Sequence, residues 1–248
     1  MARKGRARLR ALIDIVTARN PELDAAAAIR AGRVLVGGQA VTNPASLVRA
    51  DAPIAIRAEG RGPLRGEAKL AAALYAFAVP VAGRIALDLG AAAGGFTRTL
   101  LDAGAARVYA VDAGFGQLLG SLRQDPRVLN LERTNLADLD AELVPEPIDI
   151  VSADLSYVSL ARAIPQLEGH VALQPDADLL ALVKPQFELG LARPPTERPL
   201  LMDALGRAAA GIQAAGWTVA GTIESPVAGA RGAVEFLLHA ARGRRGVD

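Results

Sequence analysis

Cysteine is absent from all 248 residues, and lysine is nearly so: of 28 basic side chains only three are Lys, at positions 4, 69 and 184. Without cysteine there are no disulfides and no thiolate-bound zinc, and the composition suits a reducing compartment, so a cytoplasmic location is expected. Long apolar runs are missing too. None approaches the roughly 18–20 residues that cross a bilayer, and the longest, "LAAALYAFAVPVAG", is broken by Pro80. The N-terminus "MARKGRARLRALIDIV" passes from basic to apolar as a signal peptide does. Asp14 interrupts that run and no small-residue cleavage site follows, so it reads as mature protein. Internal repeats and low-complexity tracts are also lacking.

The scarcity of lysine makes its few positions informative. Lys184 sits in "LLALVKPQFELG", after an apolar run and before a proline, in a chain that uses Arg for nearly every other cation. A guanidinium keeps its proton, whereas a lysine ammonium can lose one when buried or crowded by other cations. That choice points to proton chemistry at 184. Charge is also unevenly spread. Residues 1–62 carry 11 basic against 5 acidic side chains, and the remainder 17 against 21. A basic module joined to a mildly acidic one is expected to face a polyanion.

Helical patterns run from about Arg6 to Arg19 and from Asp24 to Ala31, with Asp24 as N-cap and Gly32 as terminator. "RVLVGGQAV" carries a hairpin signal around Gly37-Gly38, and "APIAIRA" supplies a further strand. "AEGRGPLRGE" reads as a linker, giving a small α/β domain over 1–60 and a larger one over 61–248. From Glu67 onward the apolar segments "RIALDLG", "RVYAVDAG", "RVLNLER", "IDIVSADLS", "DLLALVKP", "WTVAGTIES" and "AVEFLLHA" read as seven strands. Helical segments between them imply a mostly parallel sheet covered on both faces, and the short loop between the last two strands implies an antiparallel ending.

Ligands of such sheets bind beyond the carboxyl ends of the strands. The first strand of the larger domain ends in "DLGAAAGGFT", where glycines at 90, 94 and 95 let the backbone turn and approach a ligand. No glycine sits at 92, so this is not the dinucleotide fingerprint. Asp112 ends the second strand, 24 residues after Asp88, where an acid can bond both hydroxyls of a ribose. Together they point to a nucleoside cofactor without a pyrophosphate. Asp154 and Lys184 end the fourth and fifth strands at the same edge. Glu235 lies within apolar "AVEFLL", where an unpaired carboxylate is costly, and Lys69 lies on the helix leading into the first strand. Two lysines and two carboxylates can therefore converge on one edge.

The stretches "RGEAKL", "DLGAAAGGFTRTLLDAGAARVYAVDAGFGQL", "DPRVLNLERTNLADL", "DIVSADLSYVSL", "LVKPQFELG" and "VEFLLH" span most of 65–240. In this combination the chain resembles the TlyA-type (haemolysin-A-like) RNA 2′-O-methyltransferases and, more broadly, the FtsJ-like S-adenosylmethionine-dependent methyltransferases. The resemblance implies a seven-stranded, mostly parallel Rossmann-like methyltransferase sheet with an antiparallel last strand, preceded by a small S-four-like RNA-binding domain. It implies a catalytic tetrad of Lys69, Asp154, Lys184 and Glu235, with no metal. It also implies an S-adenosylmethionine site drawing on Asp88, Gly90, Ala91, Gly94, Gly95, Phe96, Asp112, Asn135 and Asp154, with Asn135 beside the adenine. The implied substrate is RNA, most naturally ribosomal RNA or a ribosomal subunit.

The chain departs from the family pattern in three places. "NPELDAAAA" replaces a Ser-Arg helix start in the first module, the basic loop after "KPQFE" is shortened to "LGLARPPTERP", and Ala233 stands where Asn is expected. These changes keep open a smaller hydroxylated substrate, or a non-catalytic ribosome-associated protein. The intact four residues argue for an enzyme, and a pore-forming role has no membrane segment behind it. A ribose hydroxyl is a poor nucleophile until its proton is accepted, and Lys184 is the expected acceptor, held by Asp154, while Lys69 and Glu235 complete the charge pattern.

Overall fold

The structure, a computed structural model, describes residues 9–30, 34–36, 39–41, 43–50, 52–56 and 64–243. Two compact units divide the chain, Met1–Gly62 and Pro63–Asp248. In the first, β1 (Leu9–Ala11) leads into α1 (Leu12–Arg19), followed by α2 (Ala25–Arg30), β2 (Val34–Val36), β3 (Gln39–Ala40), β4 (Leu47–Arg49) and β5 (Ile54–Ile56). Strand β1 pairs with β4, and β2 lies between β3 and β5.

The helix expected from Arg6 begins only at Leu12; Leu9–Ala11 is a strand, and residues 6–8 lie outside the described residues. Its backbone partners give the reason. The first amides of α1 donate to Ser46 O at 2.8 Å and Pro44 O at 3.1 Å, so the segment before β4 takes the bonds another helical turn would have made. Helix α2 starts as expected, with Asp24 Oδ1 accepting the Ala27 amide at 2.9 Å. Strands β2 and β3 form the expected hairpin, Val36 opposite Gln39; Gly32, Gly37 and Gly38 lie outside the described residues. Leu12, Val16, Ala28, Ile29 and Val34 form a small core.

The second unit opens with α3 (Arg65–Phe77), β6 (Ile85–Leu89), α4 (Gly95–Asp102), β7 (Arg107–Asp112), α5 (Gly120–Arg123) and β8 (Val128–Glu132). It continues with β9 (Ile148–Ala153), α6 (Leu160–Ala163), β10 (Leu173–Val183), α7 (Pro185–Glu188), α8 (Arg198–Ala214), β11 (Thr218–Glu224) and β12 (Phe236–Ala241). The sheet order is β11-β12-β10-β9-β6-β7-β8. Strand β12 runs antiparallel to both of its neighbours, and the other pairings are parallel. This is the mostly parallel seven-stranded arrangement expected.

Both sheet faces are buried, which is why the strands read as unbroken apolar runs. Leu160, Leu201, Leu205 and Ile212 from α6 and α8 cover one face. Leu70, Phe96, Leu100 and Leu122 from α3, α4 and α5 cover the other. Strand β10 starts at Leu173, five residues before the expected Asp178, with a register break between them; the polar "QPD" hides that start in the sequence. Strand order reverses at β6, which lies between β7 and β9. The crevice beyond the carboxyl ends of these three strands is where a ligand belongs.

Candidate active site

At that crevice lies a cavity of about 740 Å³, lined by Gly90, Ala92, Asp112, Gly114, Thr134, Asn135, Asp154, Ser156 and Tyr157 among others. Gly90 has φ +83°, and a Cβ there would lie 2.5 Å from the Asp154 carbonyl oxygen, so the β6 turn and the end of β9 can touch only through glycine. Asp112 shapes the opposite wall. Its Oδ2 accepts the Ala92 amide at 2.8 Å and its Oδ1 the Gly114 amide at 2.6 Å. Each oxygen retains a lone pair for a further donor. Asn135 begins a short 3₁₀ turn, Leu136–Asp138, and its side-chain amide donates to Asp138 Oδ2 at 3.0 Å.

Four charged residues follow along the same edge. Register places Val183 of β10 opposite Phe236 of β12, so Lys184 and Glu235 are each one residue beyond that pair. Asp154 follows the last residue of β9. Lys184 Nζ lies 2.6 Å from Asp154 Oδ1 and donates to Ser156 Oγ at 3.1 Å. Lys69 Nζ donates to Glu235 Oε2 at 2.5 Å across 166 residues of sequence. The pairs differ in burial: the Lys69 and Glu235 side chains are 7% and 4% exposed, those of Lys184 and Asp154 12% and 25%. The enclosed pair ties α3 to the start of β12, and removing one partner would strand a buried charge. The more open pair borders the cavity through Asp154. It alone can meet a reactant there.

Other residues expected at the cofactor site lie behind the wall. Asp88 is fully buried, its Oδ2 accepting the Thr97 hydroxyl at 2.6 Å and its Oδ1 the Ser152 hydroxyl at 2.8 Å. It ties β6 to α4 and β9 and has no face on the cavity. Phe96 is buried in the core under α4. A Cβ on Gly94 would run into Leu122, and one on Gly95 would press on the Gly66 backbone, so both glycines let elements pack. Close approach at Gly95 seats α3, and with it Lys69. Ala91 is buried, and its amide shares the Val111 carbonyl with that of Gly90. Gly114, Ser156 and Tyr157, which sequence reasoning passed over, lie on the cavity wall with Ala92 (φ +44°) and Thr134. Ser156 and Tyr157 directly follow Asp154, so the loop after a strand end was the available signal.

Burial pushes the Asp88 carboxyl up to about 6, partly offset by the Thr97 and Ser152 hydroxyls and reinforced by the charge of Asp154. The folded chain therefore holds this proton better than the unfolded one. Stability from this group is fully present below about pH 4 and is lost as pH rises through about 6. Asp88→Asn is expected to abolish that decline, which for a shift of about two units is worth roughly 3 kcal/mol. Denaturant melts at pH 4 and pH 7 check this; an unaltered pH dependence in the variant would contradict it.

A doubly wound sheet with one antiparallel strand, a glycine turn facing an acid at the next strand end, and paired lysines and carboxylates beside them define a Rossmann-like methyltransferase. The model of the FtsJ-like methyltransferase family matches residues 64–242, and the chain belongs to that family. It is 44% identical to the "16S/23S rRNA (cytidine-2'-O)-methyltransferase TlyA" of Mycobacterium tuberculosis, over 86% of this chain and 82% of that protein. It is 33% identical to "Hemolysin A" of Brachyspira hyodysenteriae, over 85% of this chain and 90% of that one. A solved structure from Streptococcus thermophilus that carries a provisional hemolysin name is 30% identical, with a TM-score of 0.70, covering 96% of this chain and 90% of that chain.

Proposed function

We propose that the protein methylates a ribose 2′-hydroxyl of ribosomal RNA, using S-adenosylmethionine. One observation carries the reading: Lys184 and Asp154 form an ion pair at the rim of the ligand cavity, with the buried Lys69–Glu235 pair on the adjoining strand end. The residues present fit the cofactor. The cavity, about 740 Å³, is in the range of small-molecule sites, and Asp112 keeps acceptor capacity on both oxygens for two ribose hydroxyls. Gly90 and Ala92 would hold its sugar side, and Asn135 would close the end assigned to the adenine. When bound, the cofactor supplies an electrophilic methyl group on a sulfonium.

The remaining work falls to the chain. Orienting a hydroxyl toward that methyl contributes most, on the order of 7–11 kcal/mol at best. Lys184 Nζ is the proposed acceptor of the hydroxyl proton as the oxygen forms its new bond; such general-base help is worth roughly 10²–10⁴-fold. Asp154 and Ser156 fix the amine in place. Lys69 and Glu235 anchor α3 against β12, behind the pair that meets the substrate. The 44% identity to a ribosomal RNA 2′-O-methyltransferase supports RNA as acceptor. Some relatives carry hemolysin names, and among the described residues no helix is long and apolar enough to cross a membrane.

Radiolabelled methyl transfer to ribosomal subunits, transfer RNA and an RNA-free control tests the reading. Label is expected in ribosomal RNA, on a nucleotide whose 3′ linkage resists alkali because its 2′-oxygen is methylated. Label on a base, or only on a small hydroxylated molecule, would overturn it.

We assign residues 1–60 to an S-four-like RNA-binding domain, residues 61–248 to methyl transfer, and the whole to the cytoplasm. The first domain is proposed to hold RNA through charge, since residues 1–62 carry 11 basic against 5 acidic side chains, and Arg10 and Arg30 are exposed. Arg10→Ala with Arg30→Ala should flatten the dependence of log Kd for ribosomal RNA on log salt by about 0.7 for each phosphate that is no longer neutralised. Equal salt slopes for variant and wild type would assign the module another purpose.

A further inference from the structure

A second cleft, of about 290 Å³, lies between the segment after α7 and the loop before β12, and is lined by Arg193, Pro194, Pro195, Thr196, Arg231, Gly232, Ala233 and Val234. Two arginines line it and no acidic residue does. Arg84, Arg107, Arg123 and Arg127 of this unit, by contrast, each pair with a carboxylate. Arg193 and Arg231 are exposed and have no ionic or hydrogen-bonding partner among the described residues. Two uncompensated cations, one from each wall of the cleft, suit an anion with oxygens to offer both.

The loop that carries Arg231 is packed on the site itself. A Cβ on Gly229 would collide with the Glu235 carboxylate, and the loop closes through the Gly229 amide, which donates to the Ala233 oxygen at 2.8 Å. Arg231 holds φ +58°, a backbone region that suits glycine and strains a long side chain. Glycine would make this turn more easily, so the turn presents a guanidinium at some cost in backbone strain. Pro194 and Pro195 stiffen the opposite wall, and Arg193 remains in the shortened segment after "KPQFE".

We propose that this cleft grips a backbone phosphate of the substrate RNA beside the target ribose, with Arg193 and Arg231 as positioning residues. The proposal rests on the RNA-methylating reading above and adds a site to it. The cleft shares Glu235's own loop, so a phosphate held there would set the strand's register against the Lys184–Asp154 pair. Neither arginine belongs to the cofactor cavity.

The test compares Arg231→Gly, Arg193→Ala, the double variant and the double Lys variant with wild type. Readouts are ribosomal RNA affinity across salt, KM and kcat for methyl transfer, and cofactor affinity. Arg231→Gly relieves the backbone, so misfolding of the turn is not its expected effect. With about 0.7 unit of salt slope for each phosphate neutralised on single-stranded RNA, losing the one phosphate held in this cleft should leave the double variant with a slope shallower by about 0.7 unit. Over the decade from 1 M down to about 0.1 M salt, that difference corresponds to a roughly 5-fold weaker RNA Kd. KM should rise with kcat nearly unchanged, cofactor affinity should hold, and the Lys pair should restore the slope. Wild-type labelling of RNA together with unchanged slope and KM in the double variant overturns this proposal alone, as does a Lys pair that behaves like the Gly and Ala variants. A wild type that labels no RNA overturns both this proposal and the reading beneath it.

Discussion

Lys184→Arg is expected to bind S-adenosylmethionine as the wild type does and to transfer methyl about 10²-fold more slowly, or worse, because the guanidinium cannot accept a proton. The geometry makes this a clean substitution. Lys184 Nζ sits 2.6 Å from Asp154 Oδ1 and 3.1 Å from Ser156 Oγ. An arginine keeps the cation opposite that carboxylate, so the cavity wall keeps its charge balance. Lys184→Ala removes both cation and acceptor, and leaves Asp154 Oδ1, which has no hydrogen-bond donor of its own, without its ionic partner. If Lys184 serves only as a counter-charge, the Arg variant keeps most activity and the Ala variant does not. Single-turnover methylation at several pH values, with cofactor affinity measured alongside, separates the cases. An active Arg variant sinks the base assignment.

Asp112→Ala should produce the largest loss of cofactor affinity. The carboxylate would accept two ribose hydroxyls, and hydrogen bonds to a charged group are worth about 1.5–3 kcal/mol each, so affinity should fall by about 10²-fold or more. Asp112 also holds the amides of Ala92 and Gly114, and Ala92 keeps a left-handed backbone at φ +44° on the cavity wall. Losing the carboxylate therefore frees that wall as well. Asp112→Asn separates the effects, since its one carbonyl oxygen can keep one of those amides while the charge is gone. Calorimetry showing unchanged cofactor affinity in a folded Ala variant would move the cofactor elsewhere.

The central strands of the second unit were legible because parallel strands buried on both faces must be apolar throughout. "RVYAVDAG" could end only near Asp112, and the structure ends β7 there. Strands β1 and β4 were not legible. Three-residue strands carry little pattern, and the amides that decide where α1 begins find their acceptors at Ser46 and Pro44, some thirty residues away. The glycine turn was readable as a turn, but not residue by residue as a ligand site. Gly90 approaches Asp154, while Gly94 and Gly95 make room for Leu122 and for Gly66. The same backbone freedom serves ligand and packing alike, and only the neighbours tell which.

By itself the sequence determined the chemistry on offer: two lysines able to exchange protons, carboxylates at or near strand ends, an acid after the second strand, and a basic first module. Those are properties of side chains and of local periodicity, and they survive without knowledge of the fold. Only the tertiary structure decided who partners whom. It joined Lys69 to Glu235 across 166 residues and Lys184 to Asp154, enclosed the first pair and left the second open at the cavity. It also turned Asp88 inward onto two hydroxyls, although that residue begins the motif that marks the site. Partner choice and exposure depend on which strand ends lie side by side and on where packing excludes water, and both are set by long-range contacts that no local spacing encodes.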